Sequence, residues 1–181
     1  MSLREITKEL HHEAETTKFA KELLSGKIGG KKYVNYLYNM LAIYDPIEWY
    51  ASRQGMFDKM PGLPRLKAIH EDFKELDDGG YLYLTPSTLA YVQYLHKLGN
   101  DPENKHLIKA HLYCRHMGDL NGGQIIKKQV AHLSSGKFYD FDDAEALKVQ
   151  IRQELDDSLG EEACVAFQWV IKIMKDLYGG E

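Results

Sequence analysis

RHMGDLNGGQIIKK, residues 115–128, is the stretch whose reading decides the fold. On both sides the chain reads as helix, with Leu107, Ala110, His111 and Cys114 before it and Ile125, Ile126 and Val130 after it at helical spacing. Gly118, Gly122 and Gly123 fall in the middle. Each interior glycine costs a helix about 0.8–1 kcal/mol relative to alanine, so the three give up roughly 3 kcal/mol. On a wheel of 100° per residue, Gly118 and Gly122 lie roughly 40° apart, with Asp119 about 60° from Gly122 and Arg115 about 40° from Asp119 on its other side. One face therefore lacks side chains over more than a turn, with a carboxylate and a guanidinium on its edge. Close packing of another element, a bend, or the approach of the backbone to a flat ligand would each explain such a face. The third glycine and the clustering of GDLNGG favour a bent backbone over a ligand.

The rest of the chain follows the same period. Helices are expected over 3–24, 31–54, 65–76, from the TPS cap at 85–87 to about 99, through the glycine-interrupted stretch to about 133, over 142–155 and over 161–177. Pro46 lies inside the second and should kink or shift it. No strand pair with a hairpin turn stands out, and there are no internal repeats. The expectation is one all-α domain of seven or eight helices over residues 1–181.

Composition narrows the function classes. Of 181 residues, 44% are hydrophobic and 28% charged, with a net charge of -4, so the chain reads as a globular domain without the basic footprint of a nucleic-acid binder. No stretch approaches 18 apolar residues, and the beginning is charged from Arg4 onward. That reads as a soluble, cytoplasmic protein with no membrane anchor or signal peptide. Cys114 and Cys164 stand far apart and read as reduced, buried thiols. Most of the twelve tyrosines are expected to be half-buried, with the hydroxyl at the surface.

The other feature is KELHHEAE, residues 8–15. With Leu3 as zero on the wheel, Ile6, Leu10, Ala14, Thr17 and Leu24 cluster near 330°, to within roughly a residue's width. His11 falls at about 80°, bordering that stripe, His12 at about 180°, pointing away, and Arg4 at about 100°, on the side of His11. A neutral imidazole at the edge of a core suits an iron ligand. The single Glu-x-x-His, Glu103 to His106, argues against a helical di-iron centre, which needs two. His111 and Cys114 are three apart on one helix, but nothing in the sequence orients the imidazole for a thiol nucleophile.

Together the two stretches resemble the haem oxygenases. LREITKELHHEAE is similar to the pattern around that family's proximal histidine, and YCRHMGDLNGGQIIKK to its distal helix. Weaker similarity extends over nearly the whole chain, including AIYDPIEWY and YLTPSTLAYVQYLHKLG. The resemblance implies an all-α fold with haem between a proximal and a kinked distal helix, and cleavage of haem to biliverdin, ferrous iron and carbon monoxide. It implies dioxygen as co-substrate and haem as both substrate and cofactor. An electron donor such as a ferredoxin or a flavoprotein reductase, and a reductase that consumes biliverdin, are the implied partners. By matching position, it makes His11 the iron ligand and Asp119, Arg115 and Tyr44 the members of a distal hydrogen-bond network. Gly118, Gly122 and Gly123 would lie against the haem face, and Arg4, Lys148, Arg152 and Tyr113 along the propionate edge. The spacing of four from Lys148 to Arg152 puts both on one helix face. His12 supplies a competing imidazole, and the chain is short after LDDSLG compared with many relatives. The alternative is a non-catalytic haem-binding or haem-transfer protein on the same fold, which would have no need of the Asp119 network.

Overall fold

The computed structural model describes residues 2–179, and among these there are ten α-helices and no strand. They are α1 (Leu3–Ile6), α2 (Lys8–Thr16), α3 (Lys18–Leu24), α4 (Gly30–Arg53), α5 (Leu66–Leu76), α6 (Pro86–Asn100), α7 (Ile108–Asn121), α8 (Gly123–Gln129), α9 (Ala144–Glu154) and α10 (Gly160–Tyr178). The count exceeds seven or eight because two expected helices are divided. The first breaks at Thr7 and Thr17. At Thr17, ψ turns to 152° and the side chain caps α3 by accepting from the Ala20 amide at 3.2 Å. The glycine-rich helix breaks at Gly122, between α7 and α8.

α4 is the central element, because its side chains are buried on most sides. It packs against α5, α6 and α7, while α10 packs against α2, α3, α6 and α7. Pro46 does not end α4, which runs through it to Arg53. The missing N–H leaves one carbonyl a turn earlier without its helical partner, and the helix is held by its neighbours instead.

Several long-range contacts fix the loops around this helix. Asn35 and Asn39 of α4 accept from the backbone amides of Tyr83 and Thr85 at 2.9 and 3.0 Å. That seats the turn where Thr85 caps α6 and Pro86 occupies its first turn. Glu48 accepts from the Leu66 amide at 3.1 Å and from the Arg65 amide, capping α5 from across the core. Its carboxylate also meets His116 Nε2 at 3.0 Å, at a fully buried site. Asp72 accepts from the amides of Lys137 and Phe138 at 2.9 Å each, which docks the segment after α8 against α5.

Tyrosines depart from expectation. Six of the twelve, Tyr33, Tyr36, Tyr44, Tyr50, Tyr91 and Tyr139, are buried. Tyr36 and Tyr44 of the central helix find hydroxyl partners inside, whereas the buried Tyr33 hydroxyl has none among the described residues. Cys114 is buried and Cys164 half-buried, and both are free thiols.

Candidate functional site

A cavity of about 960 Å³ opens between α1–α3 and α10 on one side and α4, α7 and α8 on the other. The two stretches singled out from the sequence face each other across it. His11, Ala14 and Glu15 come from α2, and Arg115, Gly118, Asp119 and Gly122 from the distal stretch. Phe167, Val170 and Met174 of α10 and Leu23 of α3 add an apolar lining.

His11 lines the cavity and His12 does not, although both are exposed. The His11 side chain is 51% exposed and its ring stands edge-on to Phe167, with centroids 5.7 Å apart. Glu15, one turn on, has Oε1 3.5 Å from His11 Nε2. The i, i+4 spacing of these two residues is a signal the sequence reading passed over.

On the opposite wall the Tyr44 hydroxyl donates to Asp119 Oδ2 at 2.6 Å, and both side chains are buried. Burial pushes the Asp119 carboxyl up to about 6, against the opposing pull of His116, Tyr44, Arg115 and Arg65. Burial pushes the Tyr44 phenol well up, with the Asp119 charge adding to it, so the phenol stays a donor. Arg115 is 6% exposed, and its Nε and Nη2 have no hydrogen-bond partner among the described residues. Its Nη1 meets only Met40 sulfur at 3.9 Å, and the guanidinium lies 5.8 Å from the centroid of the Tyr91 ring. A buried cation with two idle N–H groups beside a cavity is suited to water or to a polar ligand held there.

The three glycines do three different things. A methyl group on Gly118 would meet nothing within 4 Å, so its missing side chain is open cavity. Gly122 marks the break between α7 and α8 while keeping helical dihedrals of -67° and -27°. Gly123 is absent from the cavity lining, contrary to the assignment made for it from the sequence. Its Cβ would fall 2.5 Å from the Tyr139 ring, so here glycine serves close packing. Gly123 thus serves close packing, Gly122 sits at the boundary of the two helices, and Gly118 leaves open space in the cavity.

The basic edge also differs from expectation. Arg4 and Arg152 line the cavity mouth beside Tyr113, whose phenol feels both guanidinium charges. Lys148 does not line it; its ammonium is 2.7 Å from Glu145 Oε1, three residues back on α9. Lys148 thus pairs on its own helix, whereas Arg152 lines the cavity. Lys8, one turn after Arg4, lines the mouth instead, and the sequence reading missed it.

The His111–Cys114 pair is engaged or suppressed by its surroundings. His111 lies 2.7 Å from the Tyr91 hydroxyl and 2.8 Å from Glu162, and burial pushes its pKa down. The Cys114 thiol is pushed up to about 12 by burial, which suppresses a nucleophilic thiolate. Among the described residues no three His, Cys, Asp or Glu side chains gather to hold a metal ion. No helix among them is long and apolar enough to cross a membrane.

Comparisons with known proteins converge on one family. The family model described as "Heme oxygenase" matches residues 1–176. The haem oxygenase of Pyropia yezoensis is 31% identical over 210 residues, covering 97% of this chain and 84% of that protein. That of Rhodella violacea is 30% identical, covering 98% and 86%. Among solved structures, haem oxygenase from Leptospira interrogans superposes with a TM-score of 0.84 at 27% identity, over 97% of this chain and 100% of that one. Haem oxygenase-1 from the cyanobacterium Synechocystis, in complex with haem, gives a TM-score of 0.81 at 26% identity, over 98% of this chain and 90% of that one.

Proposed function

The chain belongs to the haem oxygenase family, and from that premise we propose that its cavity binds haem and opens the macrocycle to biliverdin, releasing ferrous iron and carbon monoxide. The observation that carries the reading is the placement of His11 and the Gly118–Asp119 segment on opposite walls of one cavity. The residues fit the group. A flat ligand needs an imidazole on one face and a wall without side chains on the other, and Gly118 supplies open space where a Cβ would stand. Arg115 carries two unsatisfied buried donors on that same wall.

His11 would hold the iron. Glu15 Oε1 stands 3.5 Å from His11 Nε2, placed to orient the ring through one nitrogen while the other would be left for the metal. Arg4, Lys8 and Arg152 are exposed at the mouth, where two carboxylates could stay in water while pairing with them. Bound haem supplies both the iron that activates dioxygen and the carbon bridge that is oxidised. The electrons come from outside, and a ferredoxin or a flavoprotein reductase would serve.

Asp119 and Tyr44 manage protons. A carboxyl near pH 6 exchanges protons readily at neutral pH, and the Tyr44 donor fixes which oxygen faces the cavity. Arg115 offers its free N–H groups to water between the carboxylate and the ligand. Open space at Gly118 would let a flat ligand and the water beside it lie close to this wall, where a bulky side chain would exclude them. Haem storage or transfer alone would not call for a buried proton-exchanging carboxyl on this wall.

Reconstitution with hemin followed by a single turnover with reductant, monitored by visible absorption, tests the reading. A Soret band that gives way to biliverdin absorption is expected. A stable Soret band with no pigment formed would leave haem carriage as the function.

A further inference from the structure

The cavity has a second polar feature that the assigned chemistry does not use. Tyr36 of α4 and Tyr139, in the segment after α8, both line it, and their hydroxyls are 3.2 Å apart. Both rings are buried, and each phenol feels the Asp119 charge. Several unrelated contacts converge to hold Tyr139 in place. Gly123 leaves room for its ring, Gln124 Nε2 donates to its carbonyl at 2.8 Å, and the ring stacks on Phe138 with centroids 4.2 Å apart.

Hydrogen counting shows what the pair offers. Each phenol has one O–H to donate. The contact between them consumes one hydrogen, whichever ring supplies it. The other hydrogen has no acceptor among the described residues. Burial pushes the Tyr36 phenol up to about 12 and Tyr139 well above its ordinary value, so both hydrogens remain at working pH. A buried donor without a partner is costly, and the open side of this pair is the cavity.

We propose that the Tyr36–Tyr139 pair donates a hydrogen bond into the haem cavity and holds a water there, extending the Asp119–Tyr44 wall by a second positioning site. The proposal rests on the haem reading of the cavity. Tyr36 stands eight residues before Tyr44 on α4, so both sites present to the same cavity from one helix. The pair acts on water and is a positioning element; it does not touch reacting atoms.

The test uses the full chain loaded with hemin, reduced, and treated with carbon monoxide. The C–O stretch is read by infrared absorption in H2O and D2O for Tyr36→Phe, Tyr139→Phe and the double variant, with the biliverdin isomer pattern as a second readout. Either single variant keeps one O–H free to turn inward, so each should retain the solvent-isotope sensitivity of the parent. The double variant should lose that sensitivity, move the band to higher frequency and broaden the isomer mixture. Both rings remain in all three variants, so packing alone predicts no change. A double variant that matches the parent in every readout overturns the proposal, as does a single variant that already matches the double. A crystal structure of the parent gives a measurement independent of the variants. An ordered water within hydrogen-bond distance of either hydroxyl is expected, and its absence overturns the proposal. Failure of the parent to form a Soret band would sink the haem reading itself, whereas a normal Soret band with an unchanged double variant removes only the water site.

Discussion

The Tyr44 hydroxyl lies 2.6 Å from Asp119 Oδ2 and joins α4 to α7 at a buried point on the cavity wall. The contact spans 75 residues of sequence and ties the central helix to the glycine-rich one. If Asp119 exchanges protons with cavity water, Asp119→Ala should bind hemin yet form biliverdin about 100-fold more slowly, within the range general acid–base groups contribute. Tyr44→Phe keeps the carboxylate and loses one hydrogen bond, so a smaller loss, about tenfold, is expected. Single-turnover rates measured beside Soret titrations check both. Normal pigment yield from Asp119→Ala would remove its assigned role.

The same carboxyl makes a statement about stability. Burial raises it from 3.8 to about 6. Between those values the native state binds a proton that the unfolded chain has released, so this group lowers stability as pH rises through that window. A shift of about two units corresponds to roughly 3 kcal/mol, and the group is buried enough that solvent screening does not erode it. Asp119→Asn cannot ionise. The apo variant should unfold at a higher temperature than the parent above about pH 6, with the difference closing below about pH 4. Thermal unfolding followed by circular dichroism across that range decides it; parallel curves for the two proteins would contradict the shift.

Histidine choice is decided by position. His11 lines the cavity and His12 does not, so His11→Ala should abolish the histidine-ligated spectrum and turnover, with added imidazole restoring part of both. His12→Ala should be silent. The reverse pattern in absorption spectra would reassign the ligand.

Two glycine substitutions should behave oppositely. Gly118→Ala adds a methyl to open space, so the apo protein should gain up to about 1 kcal/mol from helix propensity while hemin binds less tightly. Gly123→Ala drives a methyl into the Tyr139 ring, so the apo protein should lose about 1–3 kcal/mol from overpacking. Chemical denaturation together with hemin titration separates the two effects. Equal stability changes would show that the two glycines serve one purpose.

The bridge that is cut depends on how the nearly symmetric haem is rotated. Arg4 and Arg152 reach the mouth from α1 and α9, and exposed ion pairs contribute about 0.2–1 kcal/mol each. A tenfold bias needs about 1.4 kcal/mol, so no single contact secures it. Replacing Arg4 and Arg152 together by Ala should yield mixed biliverdin isomers with turnover largely kept. Lys148→Ala should leave the isomer pattern alone, because that lysine pairs with Glu145. Chromatography of the pigment distinguishes these outcomes, and a pure isomer from the double arginine variant would shift the control of rotation to cavity shape.

Features carried within a few residues of sequence were legible without the fold. The 3.6-residue period marks nearly every helix, the wheel separates His11 from His12, and the clustering of Gly118, Asp119 and Gly122 announces an altered helix face beside a carboxylate. Each of these depends on local geometry that an α-helix fixes by itself. Tertiary structure decided what lies far apart along the chain. Only packing shows that Gly123 makes room for Tyr139, that Lys8 lines the cavity while Lys148 pairs with Glu145, and that Tyr36 meets Tyr139 across 103 residues. A helix fixes which face a side chain occupies; the partner at that face is fixed by how helices stack, and that depends on burial summed over the whole core.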